Sequence, residues 1–174
     1  MPGPVFLRGD TVSMRTLERD DLDLLQKYRN HPEVRRLLGR VHPQNRDKVE
    51  QDFEGYMSNA VNLLACVEED PVGFVALFDW NESSGHAELA YWVAPEHQGN
   101  GYASEAGELA VEYAFDERRC HRLDAGAHAT NAASRALLEK LGFEEEGRRR
   151  EHVFLDGEYV DTVLYGLLAH EWRD

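Results

Sequence analysis

Apolar residues recur along this chain with two periods, and the switches between them divide it into strands and helices. A short alternating stretch predicts a strand over 11–15. Glu18-Arg19-Asp20-Asp21 then opens a helix with Leu22, Leu24, Leu25 and Tyr28 as its buried side, and Asn30-His31-Pro32 stops it. A further turn or two of helix over 33–38 runs up to Gly39, and a second full helix is predicted over 45–57. Two strands, 61–67 and 72–78, flank Glu68-Glu69-Asp70-Pro71, which reads as a hairpin connection. Asn81-Glu82-Ser83-Ser84-Gly85 turns the chain into a strand at 86–93. From Tyr102 the period becomes helical: Ala103, Ala106, Ala110, Tyr113 and Ala114 form one stripe of a helix reaching about Arg118. A strand over 122–129 and a helix over 131–141 follow, with Gly142 as a left-handed cap. A last hairpin pairs 143–155 with 158–168 around Asp156-Gly157. The order β-α-α-β-β-β-α-β-α-β-β predicts a mixed sheet with helices on both faces, in a single domain spanning 1–174.

One junction carries candidate chemistry. The strand at 86–93 stops at Ala94-Pro95, and a loop with two glycines leads into the helix at Tyr102. A strand, a Gly-rich turn and a helix N-terminus can aim several backbone N–H groups at one anion. Gly99 and Gly101 supply positive φ and let a ligand approach the main chain. The dinucleotide fingerprint G-x-G-x-x-G fails, because the third glycine position is Ser104. A Walker loop fails as well, since no lysine lies between Lys48 and Lys140.

Charge narrows the partners. Thirty-three Asp and Glu against 19 Lys and Arg give a net charge of -14. That field repels nucleic acid and favours cationic substrates, or it is simply a solvated surface. Glu105, Glu108, Glu112 and Asp116 illustrate the second reading as an acidic stripe opposite the apolar side of one helix. No apolar run approaches the roughly 18 to 20 residues of a membrane helix, and no signal peptide is read at the start. Cys66 and Cys120, the two cysteines, read as buried free thiols of a cytoplasmic protein. No histidine pair or His/Cys cluster has ligand spacing, so no metal is predicted.

Gln98-Gly99-Asn100-Gly101-Tyr102-Ala103 fits Q/R-x-x-G-x-G/A, which resembles the acetyl-CoA pyrophosphate loop of the GNAT acyltransferase superfamily. The order of elements resembles the GNAT fold over nearly the whole chain. Local sequences such as Arg29-Asn30-His31-Pro32-Glu33-Val34, Asn131-Ala132-Ala133-Ser134 and Glu139-Lys140-Leu141-Gly142-Phe143 resemble the branch containing the ribosomal-protein-alanine N-acetyltransferases. Polyamine and aminoglycoside N-acetyltransferases are close relatives. The resemblance implies an α+β GNAT fold with a mixed central sheet of about seven strands, and acetyl-CoA as co-substrate. It implies direct acetyl transfer to a primary amine, with the α-amino group of a protein N-terminus as first choice. A small cationic amine is the alternative; a non-catalytic acyl-CoA-binding module is a second. A homodimer stays open.

Roles follow the same resemblance. Main-chain groups of Gln98 to Ala103 hold the diphosphate, Ser104 adds its hydroxyl, and Tyr91, Trp92 and Val93 pair with the pantetheine arm. The amide near Val93 would donate to the developing oxyanion. Glu88, which alternation places on a face with His86, Ala90 and Trp92, is the candidate general base. His86 and Asp79 are weaker alternatives, and a structural carboxylate is equally compatible. Many family members carry a tyrosine five residues before the Phe of the G-F pair, where this chain has Leu138. Ser134 is the substitute proposed in the ribosomal-protein branch, donating a hydrogen bond to the sulfur while water brings the proton. Asn131 either bonds the pantetheine amide or caps its helix. Acceptor contacts are expected near residues 28–33 and from the late hairpin, including His152, while Glu144-Glu145-Glu146 and Arg148-Arg149-Arg150 read as a solvated edge.

Overall fold

The computed structural model describes residues 2–173. Strands β1 (Val5–Arg8), β2 (Val12–Thr16), β3 (Val61–Val67), β4 (Asp70–Asn81), β5 (His86–Val93), β6 (Arg122–His128), β7 (Glu144–Leu155) and β8 (Glu158–Leu168) form one sheet. Its order is β1-β2-β3-β4-β5-β6-β8-β7. Every neighbouring pair is antiparallel except β5 and β6. The sheet has eight strands where about seven were expected. The additional one, β1, is four residues on the sheet edge, too short to show a period beside Pro2-Gly3-Pro4.

Helices α1 (Leu22–Asn30), α2 (Pro32–Leu37) and α3 (Arg46–Glu54) cover one face. There Leu22, Leu25, Tyr28, Val34 and Val49 pack with Leu64, Cys66 and Trp92. Helices α4 (Tyr102–Glu112) and α5 (Ala132–Lys140) cover the other. There Ala106, Ala110, Val111, Leu138 and Leu141 meet Ala87, Leu89 and Leu123. Alternation along β5 therefore feeds two separate cores. A terminal helix, α6 (Ala169–Arg173), was not expected.

Smaller departures have local causes. The predicted long helix narrows to α4 and continues as a wide π turn over Tyr113–Glu117, with the Arg118 amide donating to the Tyr113 carbonyl. The β3–β4 hairpin is tighter than read, since Val67 pairs with Asp70 and Glu68-Glu69 make the turn with Glu68 at φ 58°. Pro71 sits inside β4 where the register shifts, as a residue lacking an N–H must. Glu105 leaves the acidic stripe: its Oε1 accepts from the amides of Thr11 (2.7 Å) and Val12 (3.0 Å), tying α4 to the β1–β2 turn.

One feature of the sheet places the site. The parallel pair β5–β6 keeps register only from His86↔Arg122 to Glu88↔Asp124. Beyond that point the two strands diverge, leaving one edge of β5 unpaired from Leu89 to Val93.

Candidate active site

The divergence opens a cleft of about 750 Å³ between the C-terminal halves of β5 and β6. The Ala94 amide donates to the Val72 carbonyl on the β4 side (2.9 Å). Amides alternate in direction along a strand, so those of Leu89, Tyr91 and Val93 face the gap. Trp92 faces β4 instead. Its ring lies 4.9 Å from Tyr28 and 6.1 Å from Phe74, in the core under α1. The unpaired β5 edge therefore offers donors at Tyr91 and Val93, and Trp92 serves packing.

The Gly-rich loop closes one end. Gly99 and Gly101 both have φ +80°, and a Cβ at either would meet no atom within 4 Å. Positive φ, with open space beside it, is what a backbone cradle for a ligand requires. Among the described residues, the amides of 99–103 donate to no acceptor within the protein. Gln98 and Asn100 hold the loop in shape: Gln98 Nε2 donates to the Val93 carbonyl (3.2 Å), and Asn100 Nδ2 to the His97 carbonyl (3.0 Å). The Asn100 side chain does not line the cleft; Gln98, Gly99, Gly101, Tyr102, Ala103 and Ser104 do. Ser104 Oγ is buried without a hydrogen-bond partner, a cost a ligand oxygen would remove. The loop is fixed from behind as well, because Tyr28 Oη donates to Glu96 Oε1 at 2.5 Å. Free amides, open glycines and an orphaned hydroxyl together fit the diphosphate of coenzyme A.

On the face under α1 to α3, Glu88 lines the cleft and makes no hydrogen bond or ion pair among the described residues. Burial pushes its carboxyl above the ordinary range, Asp79 and Asp124 add to the effect, and Arg149 opposes it. Asp79 is thus a neighbour of Glu88. His86 lies outside the cleft, with Nδ1 2.9 Å from Ser84 Oγ. Val34, Leu37 and Leu38 line this side, not the preceding residues 28–33. Tyr28 and Arg29 are core residues, with Arg29 Nη1 bonded to Asp52 Oδ2 at 2.9 Å. His152 does line the cleft, its Nδ1 2.9 Å from Thr162 Oγ1. His128, which the sequence reading missed, joins it with Nδ1 buried and unpartnered. Burial and the nearby His152 lower the His128 pKa, while a bond to the Leu37 backbone opposes this.

On the opposite face, Ser134 and Asn131 line the cleft from the start of α5. Asn131 Oδ1 accepts from the Ser134 amide (3.1 Å), so its capping role is realised. Leu138 is 1% exposed. Neither Cys66 nor Cys120 lines the cleft. Both thiols are held up in pKa by burial, Cys66 to about 11, which suits buried thiols rather than nucleophiles. The triplets of 144–146 and 148–150 lie on β7, the sheet's outer strand, and are mostly exposed.

Known proteins with this arrangement identify it. Residues 11–144 match the model of the acetyltransferase (GNAT) domain family. Spermidine N(1)-acetyltransferase of Vibrio cholerae is 28% identical over 164 residues, covering 92% of this chain and 95% of that protein. YdaF of Bacillus subtilis, provisionally named a ribosomal N-acetyltransferase, is 36% identical over 101 residues, covering 58% of this chain and 55% of YdaF. The crystal structure of spermidine N-acetyltransferase from Vibrio cholerae with CoA and spermine shares the fold, at a TM-score of 0.89 and 24% identity over 95% of this chain and 100% of that one. No helix among the described residues is long and apolar enough to cross a membrane. Cleft, loop and relatives converge on acetyl transfer: the chain belongs to the GNAT acetyltransferase family and is an acetyl-CoA-dependent N-acetyltransferase.

Proposed function

We propose that this enzyme acetylates the α-amino group of a protein N-terminus whose first side chain is apolar or small. The observation carrying this reading is the acceptor side of the cleft. Among the described residues lining the cleft, Glu88 is the sole carboxylate, and Val34, Leu37, Leu38 and Val153 line it beside His128, His152 and Thr162. One ammonium finds a partner there. The further ammonium groups of a polyamine or aminoglycoside would find no second carboxylate among those lining residues, and leaving a charge unpaired in a cleft is costly.

Acetyl-CoA supplies an acetyl group activated as a thioester. The amides of 99–103 and Ser104 Oγ hold its diphosphate, and the Tyr91 and Val93 edge orients its arm. Glu88, whose carboxyl burial holds above the ordinary range, takes a proton from the acceptor ammonium. The Val93 amide points where negative charge grows on the acetyl oxygen. Ser134 faces the leaving sulfur. Neither Cys66 nor Cys120 lines the cleft, which supports direct transfer without a cysteine acyl-enzyme.

The test is free-thiol release from acetyl-CoA with a panel of acceptors. Peptides with apolar or small first residues should exceed spermidine and aminoglycosides in kcat/KM by at least about tenfold. The similarity to spermidine acetyltransferases favours the second reading, a polyamine acceptor. Spermidine turning over faster than every peptide would establish it. Cofactor binding with no turnover of any amine would favour a binding module.

A further inference from the structure

The absence of a tyrosine at position 138 leaves open what steadies the departing sulfur, and β5 supplies an answer. Tyr91 reaches across the cleft to the first turn of α5, with its Oη 3.0 Å from Ser134 Oγ and 3.3 Å from the Ser134 carbonyl. Both residues line the cleft, and the Asn131 cap fixes the backbone that carries Ser134.

Two proton arrangements are available to this pair. In one, Tyr91 donates to the carbonyl and the Ser134 hydroxyl donates back to Tyr91, turning the serine proton away from the cleft. In the other, Tyr91 donates to Ser134 Oγ, and the serine's single proton is left to point into the cleft. The shorter contact is the one to Oγ. A donated bond also polarises the serine O–H and makes it a better donor in turn.

We infer that the Tyr91 hydroxyl is a positioning residue that turns the Ser134 O–H toward the leaving sulfur, doing through β5 what a tyrosine at position 138 would do from α5. The inference rests on the Ser134 role proposed above. Tyr91 itself stays protonated, because burial raises its pKa further than the Ser134 contact lowers it. It is therefore a standing donor and loses no proton in the cycle. When the carbon–sulfur bond breaks, its electron pair stays on sulfur, and Ser134 hydrogen-bonds that charge. The acceptor ammonium carries two protons more than the amide product. One leaves through Glu88 to solvent, and the other is balanced by the proton that water delivers to sulfur. Ser134 and Tyr91 end with the protons they began with.

Tyr91→Phe keeps the ring and removes the hydroxyl. It should lower kcat about fivefold to tenfold and leave KM for acetyl-CoA within about twofold. Ser134→Ala should lower kcat at least as much, and Tyr91→Phe/Ser134→Ala should be no slower than Ser134→Ala alone, since Tyr91 acts only through the serine. A purely structural hydroxyl would instead shift the melting temperature and add its effect to that of Ser134→Ala. Additive losses in kcat, or a Tyr91→Phe enzyme as fast as the wild type beside a slowed Ser134→Ala, overturn the inference and leave the Ser134 role standing. An unaltered Ser134→Ala enzyme overturns both.

Discussion

Glu88→Gln lowers kcat/KM for acetyl transfer about 100- to 1,000-fold at neutral pH, the range a positioned general base contributes. The pH dependence makes the result specific. Burial raises the Glu88 pKa, so the wild-type rate falls as pH drops through a value above the ordinary carboxylate range, where the base becomes protonated. The glutamine variant has no such limb. Its deficit shrinks once the acceptor is neutral without help, near pH 8 for an α-amino group but only near pH 10 for a lysine-like amine. The same experiment therefore reports the acceptor class.

A stability measurement checks the cause of the shift. A carboxyl with a raised pKa binds its proton more tightly in the folded state than in the unfolded one. Its contribution is thus favourable at low pH and is lost as pH rises through the folded pKa. At neutral pH the charged Glu88 opposes folding, and Glu88→Gln should melt at a higher temperature than the wild type. A variant that loses activity but also melts lower would make Glu88 a structural carboxylate. One whose pH–rate profile matches the wild type would remove it from the chemistry.

The parts of the site that were legible in sequence are those written within one continuous segment. Residues 86–103 hold a strand, its end, two glycines and a helix start in fixed spacing, and each local choice points to the same backbone geometry. Glu88 stood out because a carboxylate inside an apolar strand needs a reason. What stayed hidden depends on contacts between distant segments. His128 reaches the cleft only because β6 runs parallel to β5 and then diverges. Leu37 and Leu38 look like any apolar helix residues until α2 is laid beside the cleft. Tyr91 and Ser134 are 43 residues apart, and neither predicts the other. The strand β1 and the π turn after α4 were missed for another reason: one is four residues long and the other lies at a helix end, so few residues carry the signal.

The loop gives the second large effect. Gly101 caps α4 at φ 80° and ψ 4°, a conformation that costs an ordinary L-residue about 1–2 kcal/mol and that a β-branched side chain adopts only as an outlier. Gly101→Val should therefore swing the amides of 101–103 off the diphosphate. Each lost bond to a charged oxygen is worth roughly 1.5–3 kcal/mol, so two of them weaken coenzyme A binding on the order of 100-fold or more, as measured by calorimetry. Because no atom lies within 4 Å of a Cβ at this position, the protein itself does not resist the substitution by collision. The loss must come from backbone conformation or from blocking the ligand, and Gly101→Asn separates the two. Asparagine tolerates the left-handed region yet is as large as valine. If conformation governs, Gly101→Asn binds at least about tenfold more tightly than Gly101→Val, whereas equal loss in both assigns the effect to occlusion. Coenzyme A bound by Gly101→Val within about threefold of the wild type would mean that these amides do not hold the diphosphate, and the cradle would have to be sought elsewhere along the cleft.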